Sequence, residues 1–457
     1  MPLEGLLIMG KRHRILFSVP GLAGHVGPSL AIAKHLIAEG HYVGYCSGEP
    51  VRKMIAKAGV QEFYPRPRYQ DMIMDKNTLV RGWLEYWFKL SKVYTVEAIK
   101  ECFHELFHAV ETFVPDIMYV DTYDFLAAAV ADKYHLPYAH GSAAPIAYFE
   151  KGIPLFGNGW NINTPRWNMV KMVLLLLVAA PFMLNGYLNQ RKAIQSIDPQ
   201  WKTTNYSGVS PYLYLFYSTD KVEYPRKTFI PTVFYVGPSI LEPEDEELPD
   251  FPWERLDGKR PLVYIATGTM FSDHYQDFYT NVISTLSENT FPMPVQVVMA
   301  TGKGRSMEKF GRIPSNFVVV PFAPQIKLIE RASVVITHGG VNSVNETFMY
   351  GKPMLLVHWG GDRMEFAQRV AYQGAGISLD VDKATPRRIK KAVLELLMQP
   401  RYARASEGIM QSYRSCGGAR TAACLLVRLA ETRQPILRKP GAPVTLKDIR
   451  DLPKYIE

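Results

Sequence analysis

Between Phe322 and Gln368 the chain reads FAPQIKLIERASVVITHGGVNSVNETFMYGKPMLLVHWGGDRMEFAQ, and its polar residues suit a phosphate ligand. VVITHGG has the pattern of a buried strand that ends in His338 and two glycines, the second being Gly340. Asn342 and Ser343 open the helix that follows, with Glu346 about one turn further on. A helix N-terminus with free amides, approached through glycines and lined by His, Asn and Ser, makes a diphosphate cradle. Glu346 has the charge to accept both hydroxyls of a ribose. Gly351-Lys352-Pro353 ends that helix, and the next strand delivers Gly360, Gly361 and Asp362 to the same place. A second candidate is His25 in GLAGHVGPS, directly after the first strand of the chain. An ordinary imidazole titrates near pH ~6.5, so a histidine there can take a proton from a hydroxyl at neutral pH.

These residues need rigid elements to hold them. RILFSVP reads as a strand, GLAGHVGPS as a Gly-rich turn, Leu30 to Glu39 as a helix stopped by Gly40, and Tyr42 to Cys46 as a second strand. Strand, turn, helix, strand is a βαβ unit and implies a parallel sheet. DIMYVD, an Ala-rich helix and LPYAH repeat the pattern, and LYLFYS and VFYVGPS extend it. Residues 241–260 are acidic and Pro-punctuated and read as a linker. The alternation then restarts with PLVYIATGT, VQVVMATG, FVVVPF, VVITHGG and PMLLVHW. The expected architecture is α/β, with two doubly wound, Rossmann-like domains, 1–240 and 261–434, facing across a cleft. A Pro-bearing tail, 435–457, is expected to pack back on the first domain.

Composition narrows the field. The 457 residues are 47% hydrophobic and 21% charged, as in an ordinary globular protein. A net charge of +9 comes from 52 Lys and Arg against 43 Asp and Glu, scattered with no basic block, which argues against nucleic acid as a partner. Cys46, Cys102, Cys416 and Cys424 are far apart and form no CxxC pair, so they offer neither a disulfide framework nor a zinc site. MPLEGLLIMGKRHRILF carries its basic residues after a short apolar stretch, unlike a secretory leader. A cytoplasmic enzyme, peripheral to membrane at most, is the expectation.

The segment from His338 to Asp362 resembles, in order and spacing, the donor-binding signature of the family 1, UDP-dependent glycosyltransferases of GT-B fold. The likeness is looser upstream, where the chain is two residues shorter between Gln325 and His338 than the plant form. The resemblance implies that Phe322 stands where a tryptophan stacks on uracil and that Gln325 bonds the base. It implies that His338, Asn342 and Ser343 hold the diphosphate, Glu346 the ribose and Asp362 the sugar hydroxyls. Thr267, Gly268 and Thr269 resemble the short turn that donates to the β-phosphate, although a plain tight βα turn has the same look. GLAGHVGPSLAIAKHL resembles the catalytic-His loop of the family, which makes His25 the general base. Asp121 matches the carboxylate that orients it by the logic of a hydrolase triad. Asp124 is the competitor for that role, its other reading being a helix cap. Arg363 departs from the family, which usually has Gln there; it could pair with a uronate carboxylate, bond neutral hydroxyls or point away. Phe for Trp at the base leaves uracil and thymine both open.

The expected reaction is a metal-independent, inverting transfer of a sugar, glucose first, from a UDP-sugar co-substrate to a hydroxyl. No cofactor is called for, and a monomer or weak dimer is expected. WLEYWF, YFEKGIPLF and MVLLLLVAAPFML in the first domain favour a small hydrophobic acceptor such as a phenol, polyketide, sterol or terpenoid. The run 172–184, short for a bilayer and interrupted by Pro181, reads as a buried or pocket-lining helix, with weak membrane-surface contact as the alternative. Asp380-Val381-Asp382 spells DxD but sits by a strand end away from the cradle and reads as a surface turn. His13, His104, His108, His135 and His140 show no metal-ligand spacing. An epimerase or hydrolase acting on a nucleotide sugar would need acid and base groups on both ring faces. A non-catalytic nucleotide-sugar sensor would have no use for a general base.

Overall fold

Every run read above as a strand forms one in the computed structural model, which describes residues 11–66, 82–145, 148–201, 209–241, 250–268, 275–302 and 310–457. The first sheet contains β1 (Arg14–Ser18), β2 (Tyr42–Ser47), β3 (Glu62–Pro65), β4 (Ile117–Asp121), β5 (Tyr138–Ser142), β6 (Leu213–Phe216) and β7 (Val233–Tyr235). Its order is β3-β2-β1-β4-β5-β6-β7, all parallel. The second sheet contains β8 (Leu262–Ala266), β9 (Gln296–Ala300), β10 (Phe317–Val320), β11 (Val334–Thr337), β12 (Met354–His358) and β13 (Gly376–Asp380). It runs β10-β9-β8-β11-β12-β13, again parallel. Central strands such as β4 and β8 are buried along their whole length, as a parallel sheet covered by helices on both faces requires. The edge strands β3 and β13 are mixed in polarity, which is why their apolar pattern is weak.

Two helices differ from the sequence reading. The first begins at Ala23 rather than Leu30 and runs to Ala38, so the Gly-rich turn is its opening turns, with Pro28 inside. Pro28 removes one helical N–H, and Ser29 Oγ donates to the Val26 carbonyl at 2.9 Å in the same turn. The apolar run belongs to a helix Pro165–Ile197, far longer than 172–184, and it is not buried: Leu174, Leu177 and Val178 face outward.

The chain also crosses between domains earlier than residue 434. The helix Gly418–Thr432 packs on the first helix and shares its core cluster. The crossing point is tight: a Cβ on Gly418, at φ +54°, would lie 2.3 Å from the Pro238 carbonyl oxygen. Beyond it, Tyr235 N and Leu446 N form hydrogen bonds that lay the tail along β7. Buried polar contacts tie the domains together. Arg369 donates to Glu223 at 2.7 Å and to Glu365 at 2.8 Å, and Asn345 Nδ2 donates to the Tyr217 carbonyl at 2.9 Å.

Candidate active site

Both sheets reverse their strand order once, between β1 and β4 and between β8 and β11. Ligands of doubly wound sheets bind at such points, beyond the carboxyl ends of the strands. The register puts Ser18 beside Val120, so Asp121 emerges next to the turn that leads from β1 into the first helix. His25 lies in the opening turn of that helix, and its Nδ1 is 2.9 Å from Asp121 Oδ2. The Tyr123 amide donates to Asp121 Oδ1 at 3.0 Å, and the Tyr123 ring stands edge-on to His25 with centroids 5.2 Å apart. Burial works against the imidazolium. The charge and hydrogen bond of Asp121, with Asp362 as a weaker third influence, outweigh it and raise the His25 pKa above its ordinary value. The rim of the cleft is therefore shared, because Asp362 belongs to the opposite domain.

Asp124 is committed elsewhere. It is buried, accepts from Ser18 Oγ at 2.7 Å and from Arg66, and caps the helix Phe125–Lys133 through the Ala127 amide at 3.2 Å. The cap was legible in the sequence; the Arg66 partner, 58 residues away, was not. His140, on neighbouring β5, has its pKa pushed down to about 4 by burial and stays neutral.

In the second sheet Thr337 pairs with Ala266, so His338 emerges beside Thr267 and Gly268. Gly268 has φ +76°, and a Cβ there would come within 2.9 Å of the His338 ring; on Gly340 it would be 2.4 Å from Nε2. The two glycines let backbone close around the imidazole from both sides. Burial first, and the Arg363 charge second, push the His338 pKa down to about 3. His338 is a neutral hydrogen-bonding group, not a cation. The helix Val341–Met349 opens just beyond it, with Asn342 and Ser343 in its first turn. The Asn342 Nδ2 atom lies 3.6 Å from where a Gly27 Cβ would be, so the cradle reaches the His25 helix.

The remaining predicted donor residues divide. Gln325 Nε2 donates to Glu346 Oε2 at 2.5 Å and to Ser343 Oγ at 3.3 Å, while its carbonyl accepts from Tyr264 at 3.2 Å. Gln325, Ser343 and Glu346 thus form one linked group. Phe322 follows β10 and is 37% exposed, leaving ring surface available for stacking. The Thr267 hydroxyl is buried against Tyr279, so only its backbone faces the cradle, and Thr269 lies outside the described residues. Asp362 begins the helix Asp362–Tyr372 after Gly361, at φ +68°. The Arg363 side chain is largely buried, with its Nε 3.9 Å from Asp362 Oδ1 and its Cβ 3.6 Å from where a Gly339 Cβ would lie. Asp380 caps a short turn through the Asp382 amide at 2.9 Å. Sequence reasoning missed Glu365, whose Oε1 accepts from the amides of Gly157, Asn158 and Gly159 at 2.8 to 3.0 Å.

Comparison with known proteins agrees with this fold. Residues 293–416 match the model of the erythromycin biosynthesis protein CIII-like C-terminal domain. An uncharacterized UDP-glucosyltransferase, YdhE, of Bacillus subtilis (strain 168) is 26% identical over 398 residues, spanning 86% of this chain and 92% of its own. The glycotransferase of kitacinnamycin superposes with a TM-score of 0.70 at 20% identity, covering 92% of this chain and 99% of that one. The glycosyltransferase VinC, solved in complex with dTDP, gives 0.62 at 19% identity over 92% and 99%. At these identities the two structures speak for the fold.

Proposed function

We propose that this chain, whose fold and relatives are those of nucleotide-sugar glycosyltransferases, is a family 1 enzyme that transfers a sugar from a nucleotide sugar by one inverting displacement with His25 as general base. The observation that carries this reading is the 2.9 Å contact between His25 Nδ1 and Asp121 Oδ2 at the cleft. With Nδ1 so engaged, Nε2 is the nitrogen left to receive a proton. The acceptor O–H gives its proton to Nε2 as its oxygen bonds to the anomeric carbon. The bond from that carbon to the diphosphate oxygen breaks, and its electron pair leaves with the nucleotide. Asp121 holds the tautomer and stabilises the imidazolium. Attack opposite the leaving group turns an α-linked donor into a β-glycoside.

The charge on the departing diphosphate is met by the amides that open the 341–349 helix, by neutral His338 and by Arg363. We assign no metal and no cofactor a part in this step. Arg363 lies next to Asp362, 3.9 Å from Nε to Oδ1, where it can bond neutral sugar hydroxyls or the diphosphate, and UDP-glucose is the leading donor. A thymidine diphosphate donor is the second reading, favoured by the phenylalanine at 322 and by the dTDP held in VinC. The acceptor is a small hydrophobic compound with a free hydroxyl, met by aromatic surface such as Tyr123 beside the base. Proton NMR of the glycoside formed from UDP-α-glucose tests the displacement: a large anomeric coupling supports it, and a retained α-linkage would rule it out.

A further inference from the structure

The helix Pro165–Ile197 is built inside out. Its 33 residues extend about 50 Å. The stripe turned toward the protein is small or polar along most of its length: Asn168, Ala179, Gly186 and Gln190, with Ala193 and Ile194 entering the core at the end. The large apolar residues face solvent, with Trp167 67%, Leu174 59% and Leu177 68% exposed. Phe88, on the adjacent helix Trp83–Val93, extends the patch and meets Phe182 edge to face at 5.4 Å. A contiguous apolar face of this kind marks an interaction surface.

The charges say what covers it. No Asp or Glu occurs in the 33 residues, while Arg166 and Lys171 stand at one end of the apolar stretch and Arg191 and Lys192 at the other. Trp167 and Tyr187, both exposed, flank the same stretch. Laying this face lengthwise on a second copy would set Lys171 of one against Arg191 and Lys192 of the other, like against like. An apolar centre between basic and aromatic flanks suits an anionic lipid surface.

The helix is long and apolar enough to cross a membrane by composition, but hydrogen bonds near both ends hold it against the protein. Asn168 Nδ2 donates to the Asn161 carbonyl at 2.7 Å, and Asn189 Nδ2 to the Tyr94 carbonyl at 2.9 Å. We propose that the helix 165–197 docks in the plane of an anionic lipid bilayer surface. Residues 157–159, just before it, bond to Glu365 on the helix begun by Asp362, so docking sets the cleft near the lipid, the phase in which hydrophobic acceptors accumulate.

Flotation of the full chain with vesicles tests the docking. Vesicles mixing phosphatidylcholine with phosphatidylglycerol should carry the protein, phosphatidylcholine alone should carry far less, and added salt should release it. A Leu174→Gln/Leu177→Gln/Val178→Gln variant should lose binding at least roughly tenfold with unchanged thermal midpoint and UDP affinity. Arg191→Gln/Lys192→Gln should lose roughly tenfold on the anionic vesicles. Absence of flotation at low salt, or equal flotation of the triple variant, overturns the proposal. So does a wild-type dimer that binds no vesicle and that the triple variant dissociates, which would give the face to a second copy. Either failure leaves the transfer chemistry untouched, since that is read from product formation with a soluble acceptor.

Discussion

Arg369, on the helix that begins at Asp362, donates its Nε–H at 2.7 Å to Glu223 of the opposite domain. Both side chains are almost wholly buried, and Glu365, one turn away, accepts from the same guanidinium at 2.8 Å. The helix that positions Asp362 is thereby fixed to the acceptor domain by a charge pair that water scarcely reaches. Removing one partner of a buried pair leaves the other desolvated and uncompensated. Arg369→Ala should strand the Glu223 and Glu365 carboxylates without their cation, cost on the order of 3 kcal/mol and lower the thermal midpoint. The exposed Arg401–Glu395 pair is the control, and its loss should hardly move the transition. An unchanged midpoint in Arg369→Ala would mean the seam is not holding the domains.

The raised pKa of His25 has opposite consequences for stability and for rate. The protonated His25–Asp121 pair stabilises the fold fully below the unfolded imidazole value near ~6.5, and that contribution is lost as pH rises through the higher folded value. Catalysis needs the neutral base, so kcat/KM should climb with pH along an acid limb lying above ~6.5. Asp121→Asn should move that limb to lower pH and cut kcat by roughly 10²- to 10⁴-fold. A limb that stays in place in the variant would separate Asp121 from the titrating group.

Glycines around His338 make a sharper test of the cradle. A methyl group at Gly340 would sit 2.4 Å from Nε2, so Gly340→Ala must displace the ring. Calorimetric titration with UDP should show affinity falling roughly tenfold or more, the equivalent of one good hydrogen bond. Gly24→Ala is the matched control, because nothing lies within 4 Å of its new methyl. Equal affinities in the two variants would remove His338 from the diphosphate site.

Arg363→Gln restores the residue usual in the family. With the guanidinium at the cleft next to Asp362, the variant should bind free UDP roughly tenfold more weakly and raise KM alike for UDP-glucose and UDP-glucuronate. A loss confined to UDP-glucuronate would instead make Arg363 a reader of the sugar carboxylate.

The two parallel sheets were legible because strands buried on both faces leave unbroken apolar runs, and the residues at their carboxyl ends could be read off directly. His338 and His25 stood out for that reason. Edge strand β3, with Glu62 and Pro65, leaves no such signature. The opening of the first helix was hidden by Gly24, Gly27 and Pro28, which locally spell a turn. Arg66 beside Asp124, and Glu365 under the 157–159 amides, join residues far apart in the chain with no periodic pattern to announce them. The outward face of 165–197 defeated the usual rule: its hydrophobicity was plain, but burial depends on neighbours that the sequence does not name.

The most direct test of the central claim is the initial rate of glycoside formation by His25→Ala against wild type, followed by mass spectrometry with UDP-glucose and a phenolic acceptor. The account predicts hexose transfer by the wild type and a loss of roughly 10²- to 10⁴-fold in the variant, with UDP affinity unchanged. Transfer by His25→Ala at the wild-type rate would contradict it.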